Sequence, residues 1–439
     1  MNRVKALVPS LPRDAWWILG ADGVGALGHG LILPFFIVYL HRVRGIELDV
    51  AAFAFSAQAI VGFIIGPIAG GLIDRVGPRR MLLASMVMTS SASALIVLIR
   101  EPWHAFAVAG YLGVANAAFW PALQSLLGAV VRPAQRSNVF SMQFAILNAG
   151  IGIGALVGGA VADIDRPGTF ESIYIVEAVL VLLATGVIAV TGAGRSGDAS
   201  IQTSESTGQG NYRQVLKDRL FLRVLALQVF LVTVGYAQLE SAFPAYATGE
   251  GGISTQALGI AFFFNTATIV VAQLVVLKKL VGRRRTRGLM VLFTLWATCW
   301  TMILLVGELA TGTLAVAGFA FSMILFASGE TLLSPTIPPI VNDLSPDHLR
   351  GRYNALYTLC WSAGLTIGPP IAGILLDRGL SRVLFVGLAG ACVAGALMAR
   401  RLEEHLPAEV NLVRPDDGPE ITPQAGTPQP TRAEPEVVS

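Results

Sequence analysis

The chain has 439 residues, of which 54% are hydrophobic and 13% charged, against roughly a quarter charged in an ordinary soluble domain. That balance excludes a soluble enzyme, and a net charge of +3 with basic residues scattered through loops leaves no stripe for nucleic acid. Cys299, Cys360 and Cys392 stand in apolar stretches without CxxC spacing, which suggests neither a disulfide framework nor a metal site.

A membrane-spanning helix needs about 20 mostly apolar residues. Apolar runs bounded by charges or Gly/Pro clusters predict six spans in the first half, at 16–40, 51–73, 81–99, 104–130, 138–162 and 172–193. Six more follow at 220–247, 255–277, 288–307, 313–341, 353–376 and 381–399. The expected fold is an all-α membrane protein with twelve transmembrane helices in two six-helix bundles, at 16–193 and 220–401. Residues 1–15 lack the cleavage pattern of a signal peptide and are expected to form a cytoplasmic N-terminus. The Gly/Ser/Thr/Gln-rich stretch at 194–219 reads as a linker, and the Pro-, Glu- and Thr-rich residues 402–439 as a disordered tail. An even number of spans puts both termini on one side. With that side taken as the inner one, inner loops hold 22 Lys and Arg and outer loops 6. The positive-inside bias therefore predicts cytoplasmic termini in a cell membrane, of the bacterial inner-membrane kind.

Sliding the chain by 214 positions superposes 115–163 on 329–377 without a gap. Pro121 meets Pro335, Arg136 meets Arg350, and Ala149-Gly150 meets Ala363-Gly364. Ile153-Gly154 meets Ile367-Gly368, Gly159 meets Gly373, and Asp163 meets Asp377. A duplication of six-helix units follows, an arrangement by which transporters place one site near the midplane. Gly150, Gly154, Gly158 and Gly159 are expected to form one strip of small residues that admits a neighbouring backbone. Gly368-Pro369-Pro370 is expected to break the hydrogen bonding of span 11 and bend it.

After span 2 stands Gly70-Gly71-Leu72-Ile73-Asp74-Arg75-Val76-Gly77-Pro78-Arg79-Arg80. An Asp at a helix boundary flanked by guanidiniums can make a contact in one arrangement of two halves and lose it in another. The run resembles the loop signature of the major facilitator superfamily, G-x-x-x-D-R-x-G-R-R/K. The resemblance implies that Gly70, Asp74, Arg75, Gly77, Arg79 and Arg80 form a conformational latch. The matching loop of the second half has Lys279 in place of the Asp. Phe326-Ala327-Ser328-Gly329-Glu330, then Pro335 and Arg350-Gly351-Arg352, resemble the drug:proton antiporter branch, which often carries a Glu in the tenth helix. Two positions depart from that branch: Ala109 stands where many antiporters have Arg, and Ala155 where their fifth helix has Pro.

A carboxylate at membrane depth costs about 2.5 to 3.5 kcal/mol on insertion scales and usually faces a cavity, a partner or a proton pathway. Glu330 is the first candidate for proton coupling and substrate binding, with Asn116 as its uncharged repeat counterpart. Asp22 in span 1 is a candidate for the same role with a solvated or salt-bridged alternative, and Glu240, toward the outer end of span 7 beside Gln238, is another that could attract cations. His29 is either a proton relay or a packed, hydrogen-bonded side chain. Glu177 is expected in the outer, interfacial part of span 6. Tyr236, Tyr357 and Trp361 are among the aromatics available to an apolar pocket.

The expected function is a secondary active transporter that exports hydrophobic small molecules, cationic ones included, in exchange for protons. No phosphate-binding loop of the form G-x-x-x-x-G-K-[ST] occurs, and no cofactor is expected. Proton-coupled or facilitated uptake of a sugar, amino acid or peptide is the alternative, and a non-transporting interaction protein that docks through its tail is a third reading. The expected partners are a small-molecule substrate, protons and the lipid bilayer, with the monomer as the working unit.

Overall fold

The computed structural model describes residues 10–132, 135–194, 212–346 and 349–414. Residues 1–9, most of the expected linker (195–211) and the end of the tail (415–439) lie outside the described residues. The first half comprises α1 (Arg13–Val43), α2 (Leu48–Val76), α3 (Pro78–Ile96), α4 (Pro102–Val130), α5 (Arg136–Val161) and α6 (Pro167–Thr191). The second comprises α7 (Arg219–Thr248), α8 (Thr255–Leu280), α9 (Arg285–Leu309), α10 (Gly312–Glu330 continuing in Ile337–Leu344), α11 (Arg350–Asp377) and α12 (Ser381–Glu403). Among the described residues 11 helices are long and apolar enough to cross a membrane. The remaining one, α3, is 19 residues long and is diluted by Arg79, Arg80 and a row of hydroxyls. Those hydroxyls are satisfied locally: Ser85, Thr89, Ser91 and Ser93 donate to carbonyls three or four residues back, and Ser90 to Ala178 of α6. Polar groups bonded in this way need no water.

Helix pairing repeats between the halves. In the first, α1 packs on α5 and α6, α3 on α4 and α6, and α2 on α4; in the second, α7 packs on α11 and α12, α9 on α10 and α12, and α8 on α10. The halves meet along α5 with α8 and α2 with α11. Gly150, Gly154 and Gly158 lie against α1, where an added Cβ would fall 2.8 Å from Ala26 Cβ at Gly150 and 2.2 Å from the Leu27 and Leu31 carbonyl oxygens at Gly154 and Gly158. Gly159 is not on that strip, because one residue further is a rotation of about 100°; it faces Thr255 and Gly259 of α8, across the boundary between halves.

Among the described residues three hydrogen bonds cross from one half to the other, and all three lie toward the end of the molecule remote from the chain termini. Arg42 Nη1 donates to the Thr248 carbonyl at 2.9 Å, Thr255 Oγ1 to Ala162, and Ser56 Oγ to Leu365 at 3.4 Å. At this far end the glycine contacts are also made, Gly159 on α8 and Gly373 on α2. The halves are closed on one another there.

The long helices are interrupted where the sequence removes a donor or a side chain. In α1, Leu33–Phe35 forms a 3₁₀ turn at Pro34, and Tyr39–Val43 a π turn. In α7 the breaks fall at Gly235 and Ser241, and in α10 after Glu330, ahead of Pro335. In α11 the helix is not interrupted, and runs from Arg350 to Asp377 through Pro369 and Pro370. Pro369 has no N–H to give the Leu365 carbonyl, and Ser56 of the other half donates to that oxygen instead.

Disorder expected from residue 402 does not hold through Arg414. The α12 helix ends at Glu403 and the chain folds back over the start of α9, where Leu412 pairs with Arg284 in a short bridge. Leu406, Asn411 and Val413 are buried. The Arg285 side chain, 0% exposed, donates to Asp343 at 2.6 Å and to the Val410 carbonyl at 2.6 Å. A few apolar contacts and a buried guanidinium are enough to order this strap, despite its charged and Pro-containing composition.

Candidate functional site

The second half builds a site where two helices, α7 and α10, are broken. Glu330 is the last residue of the first piece of α10, and Glu240 closes the middle piece of α7, Tyr236–Glu240. Tyr236 stands four residues before Glu240, one turn away on the same face, and its hydroxyl is in hydrogen-bonding reach of Glu330 and in electrostatic reach of Glu240. Glu330 and Glu240 also lie within electrostatic reach of each other. All three side chains are half-buried. Around Tyr236 stands an aromatic wall: the rings of Trp361 at 4.7 Å, Trp296 at 5.7 Å and Phe326 at 6.1 Å. Trp296 stacks on Phe326 at 4.5 Å and its indole N–H donates to the Phe326 carbonyl at 3.0 Å. Gly235 makes this possible, because a Cβ there would sit 2.0 Å from the Trp296 ring. The loosened α7 backbone is tied by Gln238, whose amide donates to Thr233 and to Gly368 of α11, each at 3.0 Å. Two carboxyls beside aromatic faces can hold a proton or an organic cation in turn.

The first half carries a separate polar line. Asp22, 6% exposed, lies beside Gln143 of α5, whose amide oxygen accepts from Gln124 of α4 at 3.2 Å. His29, seven residues on and hence on the same face of α1, sets its Nδ1 3.9 Å from Glu177 Oε1. Asn116 is half-buried in α4. The structure thus brings Glu330 and Glu240 together and keeps Asp22 and His29 in the other half. Sequence reasoning missed the place of Glu177. It is 2% exposed and stands ten residues into the 25-residue α6, about 15 Å along it, in the interior of the half and not at an interface. Tyr174 one turn earlier was the available signal, a second polar group on the same face of an otherwise apolar helix.

At the end that bears the termini, Gly77 closes α2 with φ 95, a conformation only glycine adopts freely. Among the described residues no hydrogen bond or ion pair is recorded for Asp74, Arg75 or Arg80, and all three are exposed. Arg79 instead donates to the Ile188, Ala189 and Ala193 carbonyls, answering the C-terminus of α6 within its own half. Gly70 meets no packing constraint, since an added Cβ would have nothing within 4 Å.

The family model described as Major Facilitator Superfamily matches residues 21–328 and 225–433. The chain is 22% identical over 394 residues to multidrug resistance protein 2 of Bacillus subtilis, covering 88% of this chain and 95% of that one. It is 24% identical over 364 residues to a Na(+), Li(+), K(+)/H(+) antiporter of Planococcus maritimus, covering 77% and 84% respectively. Among solved structures, a peptide transporter crystallised with sulfate superposes with a TM-score of 0.74 at 14% identity, over 91% of this chain and 95% of that one.

Proposed function

This chain belongs to the major facilitator superfamily of membrane transporters, and from that premise we propose that it exports hydrophobic small molecules, cationic ones included, in exchange for protons by alternating access. The observation that carries the reading is the pairing of Glu330 with Glu240 around the Tyr236 hydroxyl, inside a wall of Trp296, Phe326 and Trp361. Proton and cation compete for the same two carboxyls, so loading one releases the other. The multidrug and cation/proton antiporter relatives support this choice of cargo and coupling.

The 22 to 6 distribution of Lys and Arg supports placing the termini in the cytoplasm of a bacterial cell. In that orientation the far-end closure seals the outside and the site opens inward, the state in which an exporter takes up substrate. Asp74, with Arg75 and Arg80, is then the unengaged latch that would meet the opposite half when the inner end closes. The monomer contains both halves and is the proposed working unit.

The test is reconstitution into proteoliposomes with an internal pH dye, adding lipophilic cations and, separately, sugars, amino acids and short peptides. Proton flux evoked by the lipophilic compounds and lost in Glu330→Gln is the expected result. Flux evoked only by a nutrient would replace export with uptake, and substrate movement with no proton flux would remove the coupling role of Glu330.

A further inference from the structure

We propose that the first half carries a second proton site, Glu177 with His29, reached from the far end of the molecule along a line of polar side chains that avoids the seal between the halves. The inference rests on the proton-exchange reading above and deepens it: the Glu330 and Glu240 site binds cargo, and Glu177 adds a proton to each cycle.

The geometry begins at the far end. Arg44 binds Glu171 at 2.8 Å and donates through Nε to the Tyr39 hydroxyl at 2.7 Å. The Tyr39 ring lies 5.1 Å from that of Tyr174. Tyr174 is one turn before Glu177 on α6, and its buried hydroxyl has no hydrogen-bond partner. Glu177 Oε2 is likewise buried without a partner, while Oε1 faces His29 Nδ1 at 3.9 Å. Two buried polar atoms left unsatisfied one turn apart call for an explanation, since each costs about 1–3 kcal/mol. A path for protons supplies it.

Each element packed on Glu177 contributes a neighbour. From α1 come His29 and, behind Tyr174, Tyr39; from α3 comes the Ser93 hydroxyl; from α6 itself, Tyr174. Gly28 lets α1 approach, since a Cβ there would stand 3.3 Å from Glu177 Cγ. His29 differs from its partner in one respect: its side chain is 53% exposed, although it sits midway along α1. It shares a face with Asp22 and not with the apolar Trp17 and Val24 on the opposite side of the helix. The histidine is therefore the exit group, open on one side and bound to a closed carboxyl on the other.

The transfer balances within the pair. The O–H of the Glu177 acid breaks, its proton adds to a free ring nitrogen of His29, and a carboxylate and an imidazolium result. The imidazolium then gives the proton on its other nitrogen to water on its exposed side, and a turn of the ring brings the freed nitrogen back to Glu177. A proton entering past Tyr39 and Tyr174 restores the Glu177 acid. One proton exchanged at Glu330 for one monovalent cation moves no net charge; a second through Glu177 does, so the membrane potential drives the cycle.

Two measurements test this. In the first, infrared pH titration follows the carbonyl stretch of carboxylic acids in the purified full-length protein. A titrating acid signal is expected that persists in the Glu330→Gln, Glu240→Gln double variant, is lost in Glu177→Gln, and shifts its midpoint in His29→Gln. Retention of the complete signal in Glu177→Gln overturns the proposal, and so does a midpoint unmoved by His29→Gln, a variant that leaves the buried carboxyl in place. In the second, ethidium exchange in proteoliposomes is followed under an imposed potassium diffusion potential. Wild type is expected to respond to the potential, and Glu177→Gln to exchange about one proton per cation and to lose that response. An unchanged response in Glu177→Gln overturns the proposal while leaving export by Glu330 intact. Loss of the acid signal in Glu177→Gln without any ethidium transport by wild type does the reverse: the proton site stands and the cargo assignment falls.

Discussion

Gly159 and Gly373, 214 positions apart, occupy the same place in the two halves: each presses a bare Cα into the other half's backbone at the far end, Gly159 against Thr255 and Gly259 of α8, Gly373 against Leu48, Asp49 and Ala52 of α2. The equivalence extends inward, since Gly150 and Gly154 seat α5 on α1 as Gly364 and Gly368 seat α11 on α7. An offset visible in the sequence is thus the operation that relates the halves in space.

A side chain at Gly159 should wedge the far end open. Its Cβ would stand 2.7 Å from the Thr255 carbonyl oxygen and 3.0 Å from Gly259 Cα, both backbone atoms that cannot swing aside. Overpacking of this kind costs about 1–3 kcal/mol, enough to shift a two-state equilibrium roughly 5- to 150-fold. Gly159→Val is expected to lengthen the distance between spin labels at Arg166 and Arg378, exposed positions at the far end of the two halves. An unchanged distance distribution would show that the contact does not hold the closed state.

The aromatic wall should discriminate by charge. Trp361 stands 4.7 Å from Tyr236, beside the two carboxyls, and a cation over an aromatic face gains about 0.5–2 kcal/mol. Trp361→Ala is expected to weaken transport of a planar cation roughly 2- to 30-fold relative to a neutral compound of the same size. Equal losses for both would mean that the ring only fills space.

Gly235 is expected to tolerate no side chain. The Trp296 ring it would strike is fully buried and stacked on Phe326, so Gly235→Ala should cost about 1–3 kcal/mol and lower the melting temperature of the purified protein. Gly186→Ala, where nothing lies within 4 Å of the added carbon, is the control and should leave the melting temperature in place. Similar behaviour of the two variants would contradict the packing argument.

The strap after α12 should stabilise the second half up to Arg414. Truncation after Glu404 removes the Val410 carbonyl from Arg285 and the Asn411 contacts with Thr286. A hydrogen bond to a charged group is worth about 1.5–3 kcal/mol, so a clear fall in thermal stability is expected. Truncation after Arg414 should leave stability unchanged. A strap with no structural role would make both truncations silent.

The sequence was most informative where physical constraints act along one helix. Span positions followed from apolar length, and Glu330 from its cost in a membrane. It was least informative where a second helix decides. The place of Glu177 depends on how α6 turns toward α1 and α3, and a single carboxyl in an apolar run gives no measure of that rotation. The break at Gly235 depends on Trp296, 61 positions away, and glycine alone is compatible with an intact helix. At Pro369 the local rule was sound, since the carbonyl is indeed released, but the helix is not interrupted there. A serine from the other half takes up the released oxygen. In the strap, three buried side chains were hidden in a composition dominated by charge and proline.

That serine has a bearing on how the protein works as a machine. The far-end seal is made of glycine contacts, two hydroxyl donors and Arg42 on a backbone oxygen, and among the described residues no salt bridge joins the halves. Parting such surfaces strips no paired charges and requires no counterions to be gathered, and the exposed oxygens can be wetted one at a time. Opening of the far-end seal should therefore be nearly indifferent to ionic strength, leaving any salt dependence of the swing to the charged Asp74 loop at the other end.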